Sequence, residues 1–173
     1  MKVREATLAD LPATTEIYNH EVATSTSTFD MQPRDERSAR EWFDAHQTPA
    51  FPLIVAEEDG EIVAWATLTP WSPRGAYRYT VEASLFVREG HRGTGVGTLM
   101  TRELVSRAES AGHHVVLARV EASNRPSRKV LLNLGFSSVG VLHEAGRKFD
   151  RWLDSETFEL VIDPGVAPAR GGG

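Results

Sequence analysis

Apolar side chains recur at Val96, Met100, Leu104, Ala108 and Ala111, a spacing that predicts one buried face of a helix from Val96 to near Gly112. Gly112 suits the position just past a helix end. A second helical face is marked by Leu11, Ile17, Tyr18 and Val22. Ahead of it, Thr7-Leu8-Ala9-Asp10 reads as a capping box with Asp in the acidic place, and Pro12 suits a first helical turn. A short strand, Val3 to Ala6, precedes the box. Ala23 to Phe29 is polar, β-branched and without period, which predicts a loop. Pro33 and Asp35 open the next helix, with Trp42 and Phe43 on its buried side.

Strand patterns follow. Leu53 to Ala56 and Ile62 to Leu68 are joined through Asp59-Gly60, a hairpin signal. After the Pro70-to-Gly75 loop, Tyr77 to Val87 reads as a third strand running into a glycine-rich turn. Val115 to Val120 is an apolar strand, and Asn124 caps a helix that passes Val130 and Leu131 and stops at Gly135. Phe136 to Leu142 and Phe149 to Ile162 are the last strands. The order β-α-α-β-β-β-α-β-α-β-β predicts an α/β fold: one mixed sheet with helices on both faces. Residues 1–163 are expected to form a single domain, and 164–173, rich in Pro and Gly, a flexible tail.

Composition narrows the chemistry. The 173 residues carry a net charge of −5, which argues against a nucleic-acid or anionic-membrane partner held by bulk charge. There are no cysteines, so disulfides, thiolate metal sites and a cysteine nucleophile are excluded. Histidines occur without a His-x-x-x-His pair on a helix, and no metal is expected. The first residues turn polar at once, so no signal peptide is read and the cytoplasm is the expected compartment.

The stretch Leu85-Phe86-Val87-Arg88-Glu89-Gly90-His91-Arg92-Gly93-Thr94-Gly95-Val96-Gly97-Thr98 runs from strand through turn to helix. Backbone N–H groups in such a turn can approach phosphate oxygens, and the helix N-terminus adds partial positive charge. Arg92 adds a planar donor fork. The same glycines also suit a loop that needs them only for its shape. Neither the dinucleotide fingerprint nor the P-loop spacing fits. Arg92-x-x-Gly95-x-Gly97 instead resembles the acetyl-CoA signature of the GNAT N-acetyltransferases, Gln/Arg-x-x-Gly-x-Gly/Ala. Asn124-x-x-Ser127 followed by Leu134-Gly135-Phe136 resembles that family's second motif. Ile17-Tyr18-Asn19, Trp71, Thr80-Val81-Glu82 and the segment from Gly146 to Asp154 look like the subfamily that acetylates phosphinothricin, methionine sulfoximine and related amino acids.

The resemblance implies acetyl-CoA as acyl donor, held by Arg92, Gly93, Thr94, Gly95, Val96, Gly97, Thr98, Asn124 and Ser127. It implies direct transfer to the amine of a small amino-acid-like acceptor, and a homodimer. Backbone N–H groups of Leu85, Phe86 and Val87 would polarise the thioester at a β-bulge. Glu82 is the general base by the same resemblance; its own pattern also allows a surface carboxylate of an alternating strand. Arg78 is either a strand-edge charge or a clamp for a substrate carboxylate. Phe29, Trp71, Tyr77, Tyr79 and Thr80 wall the acceptor site in this reading, though each aromatic singly also suits a core role. Two positions depart from the subfamily: Leu131 stands where it carries His, and Tyr in many other family members, to protonate the leaving thiolate, and Ser72 where an Arg often follows the tryptophan. A protein N-acetyltransferase and a non-catalytic acyl-CoA sensor are the rival readings.

Overall fold

Alternation along two adjacent strands fixes the layers. The computed structural model describes residues 1–162. Among them lie β1 (Lys2–Glu5), α1 (Leu11–Thr24), α2 (Glu36–Asp44), β2 (Gln47–Thr48), β3 (Phe51–Glu58), β4 (Glu61–Pro70), β5 (Thr80–Val87), α3 (Val96–Ser110), β6 (Val115–Glu121), α4 (Arg125–Asn133), β7 (Ser137–Lys148) and β8 (Arg151–Val161). Ile54 and Ala56 of β3 join Ala64, Ala66 and Leu68 of β4 beneath Val96, Met100 and Leu104 of α3 and Leu131 of α4. Leu53 and Val55 join Trp65 beneath Ile17, Tyr18 and Val22 of α1 and Phe43 of α2. The mixed sheet therefore separates two cores, as the expected element order requires. The tail expected over 164–173 lies outside the described residues. No helix among the described residues is long and apolar enough to cross a membrane.

The strand order is β1-β3-β4-β5-β6-β8-β7, with the two-residue β2 added on β3. Among the described residues only β5 and β6 pair in parallel, and only through Thr80, Glu82 and the residue between them against Val115, Val116 and Leu117. Beyond that point β5 stays on β4 through Val87, and β6 stays on β8 through Glu121. The sheet thus opens as a wedge in its middle.

Several local expectations change. The third strand begins at Thr80 rather than Tyr77, because Gly75–Tyr77 form a 3-10 turn and Arg78 is helical in φ and ψ. The bulge expected near Phe86 and Val87 is absent: β4 and β5 keep one unbroken register from Ala64↔Val87 to Pro70↔Val81. Helix α1 runs through Thr24, past the expected loop start. Phe149 is not in a strand. It and Asp150 have φ of 49° and 58°, so they form the two-residue turn between β7 and β8, the backbone twist such hairpins need. Asp59-Gly60 (φ 51° and 84°) makes the hairpin that the sequence predicts.

The capping box is real and linked to the sheet. The Asp10 carboxylate accepts from the Thr7 N–H (2.7 Å) and hydroxyl (2.9 Å), and from both ends of the Arg4 fork (2.7 and 2.9 Å). Arg4 also donates to Glu57 (2.9 Å). The Arg4 hydrogen bond, opposed by burial, holds the Asp10 carboxyl at about 2, below its usual 3.8. A folded-state value below the unfolded one adds stability above pH ~4 that disappears as pH falls through ~2. The worth is on the order of 2 kcal/mol. Asp10→Asn should cost about that much at pH 7, and the gap to wild type should close between pH ~4 and ~2 in urea unfolding. A gap that persists to pH 2 would assign the effect to neutral hydrogen bonds.

Candidate active site

Strand β5 delivers the chain into the glycine turn, and the turn into α3. Gly95, with φ 94°, sits immediately before Val96 in a conformation that a side chain would strain. The first bond of the helix runs from the Leu99 N–H to the Gly95 carbonyl (3.0 Å). The N–H groups of Val96, Gly97 and Thr98 therefore precede the helical ladder and point out of its positive end. That is an anion-binding arrangement, and it fits a pyrophosphate. Gly93 and Thr94 complete the exposed turn, with the Thr94 hydroxyl bonded back to the His91 carbonyl (2.7 Å).

Arg92 behaves differently from expectation. Its guanidinium pairs with the buried Glu21 carboxylate of α1, and its Nε donates to the Val87 carbonyl (3.3 Å). The side chain ties the turn to α1 rather than standing free for an anion. Leu85 and Val87 send their side chains into the α3 core, whereas Phe86 packs on Tyr18 and Trp65, 5.2 and 4.9 Å between ring centres. Leu85 and Val87 turn their backbone to the wedge; Phe86 uses its own to bond Trp65 of β4. On the far side of the wedge, the Asn124 side chain caps α4 as predicted, accepting from the Ser127 N–H (3.2 Å). Leu131 is buried in the α3 and α4 core, so no acid occupies that place.

The α1 face of the wedge carries the charge. Alternation puts Glu82 on this face with Phe86, and Arg119 with Glu121. Arg119 donates to both Glu82 oxygens (2.6 and 3.0 Å), which raises the pKa of the guanidinium further. The Glu82 side chain is 16% exposed and that of Arg119 53%; the guanidinium lies 5.7 Å from the Trp71 ring centre. Glu121 is buried and satisfied by the Ser123 N–H (3.1 Å), the Ser123 hydroxyl (2.5 Å) and the Thr26 hydroxyl (3.3 Å).

Residues 25–30 are laced across this face. Ser25 donates to Glu21 (2.6 Å), and the Tyr18 hydroxyl to Asp30 (2.5 Å). The buried Lys148 ammonium donates to the Thr28 carbonyl (2.9 Å), and burial lowers its pKa. The Phe29 ring lies on Gly146, where a Cβ would sit 2.5 Å from it. Trp71 and Glu82 thus stand together at Arg119, Thr80 lies in the paired stretch just before the wedge, and Phe29 lies over β7. Tyr77, Arg78 and Tyr79 stand apart: all three are exposed on the turn before β5, with Arg78 stacked 4.4 Å over Tyr79. Sequence reasoning missed Arg119, Glu21, Glu121 and the role of Lys148. The two charges at alternate positions near the end of β6, Arg119 and Glu121, were visible, but not what they faced.

An anion-binding turn, an open strand edge and a carboxylate on one face fit a phosphate-bearing acyl donor and an amine, which is the geometry of an acyl-CoA-dependent N-acyltransferase. The pattern of the acetyltransferase (GNAT) family matches residues 14–136, and the chain belongs to that family. It is an acetyl-CoA-dependent N-acetyltransferase. An L-methionine sulfoximine/L-methionine sulfone acetyltransferase of Pseudomonas paraeruginosa is 37% identical over 163 residues, 94% of this chain and 95% of that one. The yncA protein of Salmonella typhimurium, solved with its cofactor acetyl-CoA, is 34% identical with a TM-score of 0.91 over 98% of each chain. A ribosomal-protein-alanine N-acetyltransferase of Brucella melitensis is 33% identical, with a TM-score of 0.91 over 94% of this chain and all of that one.

The turn can be tested alone. Gly95→Asp places a side chain at φ 94° and a negative charge at the helix start. Acetyl-CoA affinity by calorimetry should fall on the order of tenfold or more, and stability by about 1–2 kcal/mol from the backbone strain. Unchanged affinity in a folded variant would remove the turn from the donor site.

Proposed function

We propose that this enzyme acetylates the amine of a small amino-acid-like acceptor, of the methionine sulfoximine, methionine sulfone or phosphinothricin type, by direct attack in a ternary complex. The observation that carries the reading is Glu82, a largely buried carboxylate on the acceptor face where β5 and β6 part, below the glycine turn. Acetyl-CoA supplies the activated acetyl thioester. The N–H groups of Val96, Gly97 and Thr98, with Gly93, Thr94 and Gly95, hold its pyrophosphate, and Asn124 and Ser127 flank its arm. The open edge at Leu85 and Val87 offers backbone donors to the thioester oxygen. Glu82 takes the proton of the acceptor ammonium, directly or through one water. With Leu131 in place of an acid, the sulfur leaves as thiolate; a free thiol has a pKa of about 8.5, so this step is tolerable near neutral pH.

The reaction belongs in the cytoplasm in this reading, in keeping with a chain free of cysteine. The Brucella neighbour favours a second acceptor, a protein N-terminus, and a peptide beginning with alanine belongs in the same panel. Thiol release from acetyl-CoA should be fastest with methionine sulfone, methionine sulfoximine and phosphinothricin. Turnover with the peptide alone would reverse the assignment.

Glu82→Gln should lower kcat by about 10²-fold or more, with acetyl-CoA affinity nearly unchanged. The deficit should shrink as pH rises, because more acceptor then arrives as free amine. A small, pH-independent loss would make Glu82 structural.

The homodimer belongs to the same reading. Strand β7 ends the sheet, and Val139, Val141, Leu142 and Trp152 expose 37–61% of their surface along β7 and β8. Light scattering at micromolar concentration should give twice the chain mass, and Leu142→Glu should lower it. A monomeric wild type would count against assembly through this edge.

A further inference from the structure

We propose that Arg119 holds the acceptor's carboxylate, and that the Glu82–Arg119 ion pair is opened by exchange of partners when an amino acid enters. This rests on the amino-acid acceptor proposed above and names the residue that would select it.

The geometry supplies the first argument. Both Glu82 oxygens are engaged by one guanidinium, at 2.6 and 3.0 Å. A carboxylate bonded in this way is poorly placed to accept a proton, so the base has to be released before it can work. A bare ammonium could loosen the pair only by leaving Arg119 without a counter-charge beside a largely buried carboxylate, which is costly. An α-amino acid carries both charges on neighbouring atoms. Its ammonium can replace Arg119 on Glu82 while its carboxylate replaces Glu82 on Arg119. One ion pair becomes two, no charge is left alone, and the planar fork meets a second carboxylate in the geometry it already uses.

Access supplies the second. The Arg119 side chain is 53% exposed, and its protein hydrogen bonds among the described residues are those to Glu82. It therefore has room to move without breaking other bonds. Trp71, 5.7 Å from the guanidinium, offers an aromatic face along which it can slide. Glu121, the next charge on that face of β6, is already satisfied by Ser123 and Thr26 and does not compete.

The third argument is substitution of place. The expected clamp, Arg78, is stacked on Tyr79 on an exposed turn, away from Glu82. Arg119 brings a guanidinium to Trp71 from the neighbouring strand instead.

The test compares methionine sulfone with its amide, in which the carboxylate is lost and the amine kept, at saturating acetyl-CoA. Arg119→Met should raise KM for the acid on the order of 10²-fold. KM for acetyl-CoA should stay within about twofold, KM for the amide should fall or hold because its ammonium no longer has to displace Arg119, and Arg119→Lys should recover part of the acid's loss. Comparing variant with wild type on each acceptor cancels the different basicities of the two amines. Arg119→Gln serves as the second variant if Arg119→Met does not fold. Equal losses on acid and amide, or a raised KM for acetyl-CoA, would make Arg119 a structural partner of Glu82 and overturn the proposal. Wild-type turnover of the acid with an unchanged KM in Arg119→Met would overturn it while leaving the acceptor class standing. A wild type inactive on every amino acid would overturn the acceptor class first, and the proposal with it.

Discussion

The parting of β5 from β6 is the constraint on which the site depends. Three residue pairs hold the two strands together, and each strand then follows its other neighbour. Two consequences come from this one event. The N–H groups of Leu85 and Val87 lose a lateral strand, so they stay available to a ligand, while Phe86 keeps its bonds to β4. The side chains at Glu82 and Arg119 come to the throat of the opening, where neither helix layer covers them completely. A continuous sheet would have sealed the first and buried the second.

Charge around the opening is arranged in pairs with distinct roles. Glu21 and Arg92 join α1 to the glycine turn, and the same Glu21 accepts from Ser25 at the start of the loop over the acceptor face. The glycine turn and the loop of residues 25–30 are thus fastened to one buried carboxylate. Lys148 fastens the other end of that loop through the Thr28 carbonyl, at some cost in desolvation. Gly146 admits the Phe29 ring because it has no Cβ. These contacts draw on α1 and β7, so the loop of residues 25–30 is held only once the last hairpin is in place.

The missing acid has a physical reading in the same frame. Leu131 lies in the apolar layer under α4, where a hydroxyl or imidazole would have had to reach the wedge from within the core. Leucine there improves burial by roughly the transfer free energy of its side chain, about 1.5–3 kcal/mol. In the proposed reaction the departing sulfur is left to solvent and backbone dipoles. A thiolate tolerates that arrangement better than an alkoxide would, because its conjugate acid is much stronger.

The sequence by itself determined the parts that depend on near neighbours. The capping box at Thr7 and Asp10, the Asn124 cap, the Asp59-Gly60 hairpin and the glycine turn were legible because each is built within a few residues. Alternation also put Glu82 on one face of its strand. Alternation could not say which strand lies alongside, where two strands part, or what stands opposite. Arg119 meets Glu82 only because Glu82 registers with Leu117, two positions before it, across a parallel pair far apart in the chain. Arg92 turned to Glu21, and Tyr77 to Tyr79 left the strand, for the same kind of reason: a buried carboxylate on another element and a local 3-10 turn prevailed over the linear pattern. Period-two spacing carries one dimension of information, whereas ion-pair partners are chosen in three.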